Sequence, residues 1–295
     1  MSINEQYLID KYLLPLKNQS SSVLIGIGDD SSLIKSDKYF LTSVDTSIAG
    51  THFPKDLKSF YIAYRSLAIA CSDIYAMGGK PHSFLLAITH PQPTDDWFSD
   101  FSSGIKQFIQ DYEVSIAGGD LTNGPLSISV TFFGEPLEKI FKRDAADVGD
   151  NIYISGKLGE GYKGLTEYEA YAEDNQYLSP KLPKEIIHDL NPLAKACIDI
   201  SDGLILDLER ICKASNVGAR VNFNQSFVSS DINDLIHGDD YQLCFTASKD
   251  NHEQVMSLSE DIFHIGEINQ SNTVEVFNGN QLVQFSEKGW ESFNN

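Results

Sequence analysis

Several apolar runs in this chain end on aspartate, and that pattern limits the fold more than any other feature. Val23-Leu-Ile-Gly-Ile-Gly-Asp-Asp30 comes first, then Tyr39-Phe-Leu-Thr-Ser-Val-Asp45, Val114-Ser-Ile-Ala-Gly-Gly-Asp120 and Cys197-Ile-Asp199. Short apolar runs bounded by glycine and aspartate read as strands, the first of them buried and delivering carboxylates to a sheet edge. Adjacent like charges such as Asp29 and Asp30 cost free energy unless water or a cation screens them. Between these runs the period changes. Residues 58–77 place Phe60, Ala63, Tyr64, Leu67, Ala70, Cys71 and Ile74 at helical spacing, with Gly78-Gly79 and then Pro81 as C-terminal punctuation. Residues 3–14 read as a helix, and Thr94 caps another that carries Trp97, Phe101, Ile105, Phe108 and Tyr112. Strands alternating with helices predict an α/β (α+β) chain.

At 295 residues the chain exceeds one average domain. Its composition turns polar between Glu135 and Asp150, which predicts a first domain over 1–137, a linker over 138–150 and a second α/β domain over 151–295. The four scattered cysteines lack a C-x-x-C spacing and read as buried reduced thiols. With no signal pattern and no apolar run near 18 residues, a cytoplasmic protein without a membrane span is expected. The net charge of −20 excludes holding nucleic acid by phosphate neutralisation, but it leaves room for phosphates that arrive with metal ions. Aspartate outnumbers glutamate 26 to 16, which favours loops and metal sites over acidic helix faces.

Asp30, Asp45, Asp73 and Asp120 each lie at or near the end of an apolar element. Turn chemistry explains any one of them. Asp73 resists that reading, because a carboxylate in the last turns of a helix faces the negative end of the dipole. Asp199 and Asp202 bracket Ser201 where a strand feeds a helix, a place that suits an N-cap and a phosphate equally. Asp239-Asp240 repeats the adjacent pair, and His52 and Arg143 are otherwise ordinary surface or core residues. Asp29 reads as a turn residue. Neither Gly156–Gly164 nor Gly78-Gly79-Lys80 forms a Walker A loop, and no Ser-His or Cys-His pair stands out.

Taken in order, Gly26-Ile-Gly-Asp-Asp30, Ser43-Val-Asp-Thr46, Ala49-Gly-Thr-His-Phe53, Leu67-Ala-Ile-Ala-Cys-Ser-Asp-Ile-Tyr-Ala-Met-Gly-Gly79, Ala117-Gly-Gly-Asp-Leu-Thr122, Ile198-Asp-Ile-Ser-Asp-Gly-Leu204 and Gly238-Asp-Asp-Tyr-Gln-Leu-Cys-Phe245 resemble the thiamine-monophosphate kinase family. That family lies within the aminoimidazole-ribonucleotide synthetase superfamily. The resemblance implies a two-domain fold whose N-terminal mixed sheet, flanked by helices, pairs across a homodimer. It implies ATP as co-substrate, thiamine monophosphate as acceptor and several magnesium ions. Asp30, Ser43, Val44 (through its carbonyl), Asp45, Asp73, Asp120, Asp199 and Asp202 would then be metal ligands. Gly119, Asp120, Arg143 and Ser201 would hold nucleotide, and His52, Asp239 and Trp290 would face the acceptor. Asp239 stands where the family usually has Glu, and Lys288-Gly-Trp-Glu matches only loosely. The acceptor phosphate is largely a dianion at neutral pH and needs no general base. The rival expectations are a sibling ATP-dependent synthetase, a metal-dependent phosphatase and a non-catalytic divalent-ion binder.

Overall fold

The computed structural model describes residues 23–25, 29–35, 38–169 and 175–292. The helix expected over 3–14 lies outside them. The N-terminal half contains β1 (Val23–Ile25), β2 (Ser32–Lys35), β3 (Tyr39–Ile48), α1 (Ser59–Ala76), β4 (Gly79–His90), α2 (Asp95–Tyr112), β5 (Ser115–Asn123) and β6 (Ser127–Pro136). The strands form a six-stranded sheet in the order β1-β2-β3-β6-β4-β5, antiparallel except where β4 meets β5. Strands β3, β4 and β6 alternate between buried and more exposed positions. On β3, Leu41, Ser43 and Ser47 are buried, while Val44 and Ile48 face outward.

The C-terminal half contains β7 (Asn151–Ile154), α3 (Glu160–Thr166), α4 (Ile187–Leu190), β8 (Ala194–Asp199), α5 (Leu204–Ser215), β9 (Gly218–Asn222), β10 (Leu243–Ala247), α6 (His252–Met256), β11 (Phe263–Asn269), β12 (Val274–Asn278) and β13 (Gln281–Val283). Its seven-stranded sheet runs β13-β12-β9-β11-β7-β10-β8, with only β12 and β9 parallel. All four cysteines are buried free thiols, as expected. Among the described residues no helix is long and apolar enough to cross a membrane.

Helix α1 organises both halves. Most of its residues are buried, including the polar Arg65, Ser66 and Ser72. A helix enclosed on all sides belongs to the interior. One side packs on β3, β4 and β6, and another reaches β8 of the second sheet. The core around α1 runs without a break from Leu67, Phe84 and Phe132 into Tyr153, Cys197, Leu243 and Phe245. A second core, around Ile198, Leu208 and Val221, lies under α5.

Three local features stand out. Gly79 and Pro81 do not merely follow α1; they begin β4, with Pro81 at a register irregularity against β6 that spares the ladder. Strand β5 is exposed along its whole length, with Ile116 and Leu121 at the surface, although its sequence resembles that of a buried strand. Strand β10 starts at Leu243, two residues beyond Tyr241, whose φ of 51° lies outside the β region.

The fit of α2 against α1 depends on Gly104, since a Cβ there would meet the carbonyl of Phe60 and the Cβ of Ala63. Gly104→Val is therefore expected to destabilise the protein by about 2–3 kcal/mol in urea titration, the scale of overpacking a core. Ser103→Ala, exposed on the same helix, should be close to neutral.

Candidate functional site

The structure brings Asp30, Asp73 and Asp199 together, with one carboxylate oxygen of each within 4.8 Å of the others. They come from three elements: the segment after β1, the last turn of α1 and the end of β8. At that spacing each pair of ionised carboxylates repels by ~3 kcal/mol at an effective dielectric near 20. Burial, then the charges of Asp45, Asp199 and Asp30, push the Asp73 carboxyl well above the usual range. Burial, then Asp30, do the same to Asp199, while a hydrogen bond from Ser72 opposes it. That bond, from Ser72 Oγ to Asp199 Oδ2, is 2.7 Å long and ties α1 directly to β8. An all-oxygen donor set with excess negative charge fits a hard divalent cation such as magnesium.

The cluster is braced on two sides. Arg143 binds Asp30 through Nη2 to Oδ1 and through Nε to Oδ2 at 3.1 Å, a bidentate pair. Its backbone N–H donates to Asp29 Oδ1 at 3.2 Å, so Asp29 is more than a turn residue. Burial and the neighbouring Asp30 raise the Asp29 carboxyl to about 6. Across the cluster, Asp207 is fully buried, and its Oδ2 accepts the N–H groups of Ser201 and Asp202, both at 3.1 Å. Arg210 donates to Asp207 and Asp202, each at 2.5 Å. Burial, offset in part by Arg210, leaves the Asp207 carboxyl raised to about 7.

The remaining metal-ligand expectations divide. Asp45 shares a strand with the buried Ser43, whose Oγ donates to the Ala70 carbonyl at 2.8 Å. The Val44 side chain, 65% exposed, points to the opposite face, which leaves its backbone carbonyl as the available donor. Asp202 is paired with Arg210 beside the Ser201 loop. Asp120 is not part of the three-carboxylate cluster: it lies on the exposed edge strand β5, paired in register with Ala87. With Gly119 it lines a cavity of about 410 Å³ between β5 and the Phe98, Phe101 and Ile105 side of α2. The four nucleotide expectations are thus split, with Gly119 and Asp120 at this groove and Arg143 and Ser201 beside the carboxylates.

His52 and Trp290 meet edge to face, with ring centroids 5.8 Å apart. Trp290 is held by its backbone N–H, which donates to the Asp202 carbonyl at 2.9 Å. Asp239 has a positive φ of 70°, and its N–H donates to the Ser201 carbonyl at 2.9 Å. Gly238 permits that approach, because a Cβ there would strike Ser201 O. Four residues around these sites were given no role from the sequence: Ser72, Asp207, Arg210 and, pairing with Asp239, Arg65. Arg65 left one trace, a charge inside an apolar helical pattern.

Residues 28–135 match the AIR synthase related protein N-terminal domain, and residues 147–278 match its C-terminal domain. A thiamine-monophosphate kinase of Buchnera aphidicola subsp. Schizaphis graminum (strain Sg) is 37% identical, with 85% of each chain covered. The chain belongs to the thiamine-monophosphate kinase family. Family membership makes it an enzyme with two AIR-synthase-like α/β domains. The solved thiamine-monophosphate kinase from Stenotrophomonas maltophilia K279a superposes with a TM-score of 0.74 at 31% identity, covering 94% of this chain and 97% of that one. The solved AaThiL complexed with AMPPCP and TMP superposes with a TM-score of 0.83 at 25% identity, covering 98% and 97%.

The support under the Ser201–Asp202 turn can be tested directly. Asp207→Ala strands two partly buried N–H groups and leaves Arg210 without its buried partner. A loss of about 3–5 kcal/mol in chemical denaturation is expected.

Proposed function

We propose that the protein phosphorylates thiamine monophosphate to thiamine diphosphate, transferring the γ-phosphoryl group of ATP in line to the acceptor phosphate. The observation that carries this reading is the convergence of Asp30, Asp73 and Asp199, with the Asp45 charge beside them, in a member of this kinase family. The relative complexed with AMPPCP, an ATP analogue, and TMP supports the choice of both substrates.

Magnesium would be held by Asp30, Asp45, Asp73 and Asp199, with Ser43, the Val44 carbonyl, Asp120 and Asp202 as further oxygen donors. When bound, it would supply positive charge to offset that of the phosphates. The chain's own part is to hold these donors still. Ser72 fixes the direction of Asp199, and Asp207 fixes the backbone of Ser201 and Asp202. Arg143 and Ser201 are the residues for nucleotide phosphates beside the carboxylates, while Gly119 and Asp120 would serve at the groove. His52, Asp239 and Trp290 form the acceptor side. No residue need remove a proton, because the acceptor phosphate already carries the attacking charge.

The proposed division is an ATP- and magnesium-binding domain over 1–137, a linker over 138–150 and a second domain over 151–295. A homodimer through the N-terminal sheet is supported by its open face, which exposes Val44, Ile48 and Leu85, and by the exposed apolar side chains of edge strand β5.

With magnesium, ATP and thiamine monophosphate, purified protein is expected to form thiamine diphosphate and ADP in equal amounts, and EDTA to stop it. ATP left intact with all components saturating would overturn the reading; phosphate released from thiamine monophosphate without ATP would point to a phosphatase. Asp45→Asn should lower turnover at least ~100-fold while far-UV circular dichroism is unchanged. Near-normal turnover of that variant at limiting magnesium would remove Asp45 from the metal site.

A further inference from the structure

We propose that Arg65 is a positioning residue for the acceptor pocket, setting Asp239 on one side and the His52–Trp290 pair on the other. Arg65 projects from the middle of α1 and is 2% exposed. Its Nη1 donates to the Tyr177 carbonyl at 2.9 Å, and its Nη2 binds Asp239 Oδ1. The guanidinium also lies flat enough over the Tyr177 ring to bring Cζ within 3.8 Å of the centroid. Three contacts of different kinds on one planar group are what a lysine cannot reproduce.

Each contact leads to an acceptor residue. On one side, Asp239 has a left-handed backbone that a non-glycine residue adopts only when its surroundings impose it. Arg65 and the Tyr241 hydroxyl, 3.0 Å away, both donate to Oδ1. Oδ2 makes no hydrogen bond among the described residues, and the side chain stays 30% exposed. One oxygen is therefore anchored and the other is presented to a ligand. On the other side, the Tyr177 hydroxyl donates to the His52 carbonyl at 3.0 Å, and the His52 ring meets Trp290. Arg65 is the node where these two arms join.

The short aspartate at 239 makes this node matter. Its carboxylate has little reach of its own, so its location follows from where Arg65 and Tyr241 hold it. Charge balance has the same consequence. With its charge offset by Arg65, Asp239 presents a hydrogen-bond acceptor, and selection would favour a donor group, such as an amino group on an aromatic ring, over charge alone.

This assignment rests on the phosphotransfer reading, so its test has a readout that does not. The chain has two tryptophans, and Trp97→Phe leaves Trp290 as the single reporter. In that background Arg65→Lys is expected to shift Trp290 emission. With Trp97 restored, it should raise the KM for thiamine monophosphate about ten-fold, the scale of a lost hydrogen bond to a charged group. The KM for ATP should stay within about two-fold, since Arg65 touches none of the nucleotide residues. Tyr177→Phe, which removes only the hydroxyl on His52, should move emission the same way and raise the acceptor KM less. If Arg65→Lys fails to fold, Tyr177→Phe carries the test alone. A lower melting temperature with emission and both KM values unchanged would make Arg65 a purely structural clasp and overturn the proposal, as would equal losses for both substrates. If wild-type protein shows no phosphotransfer, the kinase reading falls, and unchanged Trp290 emission in both variants would then overturn the positioning role separately.

Discussion

The enclosure of α1 between two sheets is the constraint on which the rest of the molecule depends. A helix packed into a core that both sheets share cannot turn without disturbing each, so its polar side chains are fixed in space. Three of them face the second half of the chain. Arg65 reaches Asp239, Ser72 reaches Asp199, and Asp73 joins Asp30 and Asp199. Burying an arginine and a carboxylate on one helix costs free energy that only pairing or a cation offsets. The apolar remainder of α1 holds these groups in place, and the polar minority makes the site.

Arginine is used sparingly here, four times in 295 residues. Three of the four sit on carboxylates at or beside the site: Arg65 on Asp239, Arg143 on Asp30, and Arg210 on Asp202 and Asp207. The fourth, Arg220, lies over the Phe277 ring. Each site arginine makes more than one directed contact, a use for which its planar fork is suited and a lysine is not.

The parts of this architecture visible in the sequence are those written locally. A strand ending on aspartate, or a helix stopped by glycine, occupies a dozen residues, and its period declares it. Asp30, Asp73 and Asp199 were legible in that way because each breaks a local rule at the end of an apolar element. The supporting residues were not. Ser72 meets Asp199 across 127 positions and Arg65 meets Asp239 across 174, and no spacing rule connects them. Strand β5 misled for a related reason. Its apolar side chains suit burial, but among the described residues nothing covers them, so the sequence pattern and the surface of one copy disagree. Asp120, carried on that strand, was grouped with the other aspartates by motif order and lies apart from their cluster in space.

Charge decides what kind of ligand such a site can take. Around the cluster stand Asp29, Asp30, Asp45, Asp73, Asp199, Asp202 and Asp207, against the guanidiniums of Arg143 and Arg210. Both arginines are already engaged by carboxylates, so they bring the local charge no closer to positive than their partners allow. A bare polyphosphate entering this field would meet repulsion of several kcal/mol. The raised Asp73 and Asp199 carboxyls register the same excess from the protein's side. Divalent cations would relieve both at once, because each would add two positive charges where carboxylate and phosphate oxygens would otherwise face one another. A chain of net charge −20 can therefore serve anionic substrates provided its acidic groups are concentrated and immobilised, and α1, with the Asp207 brace opposite it, supplies the immobility.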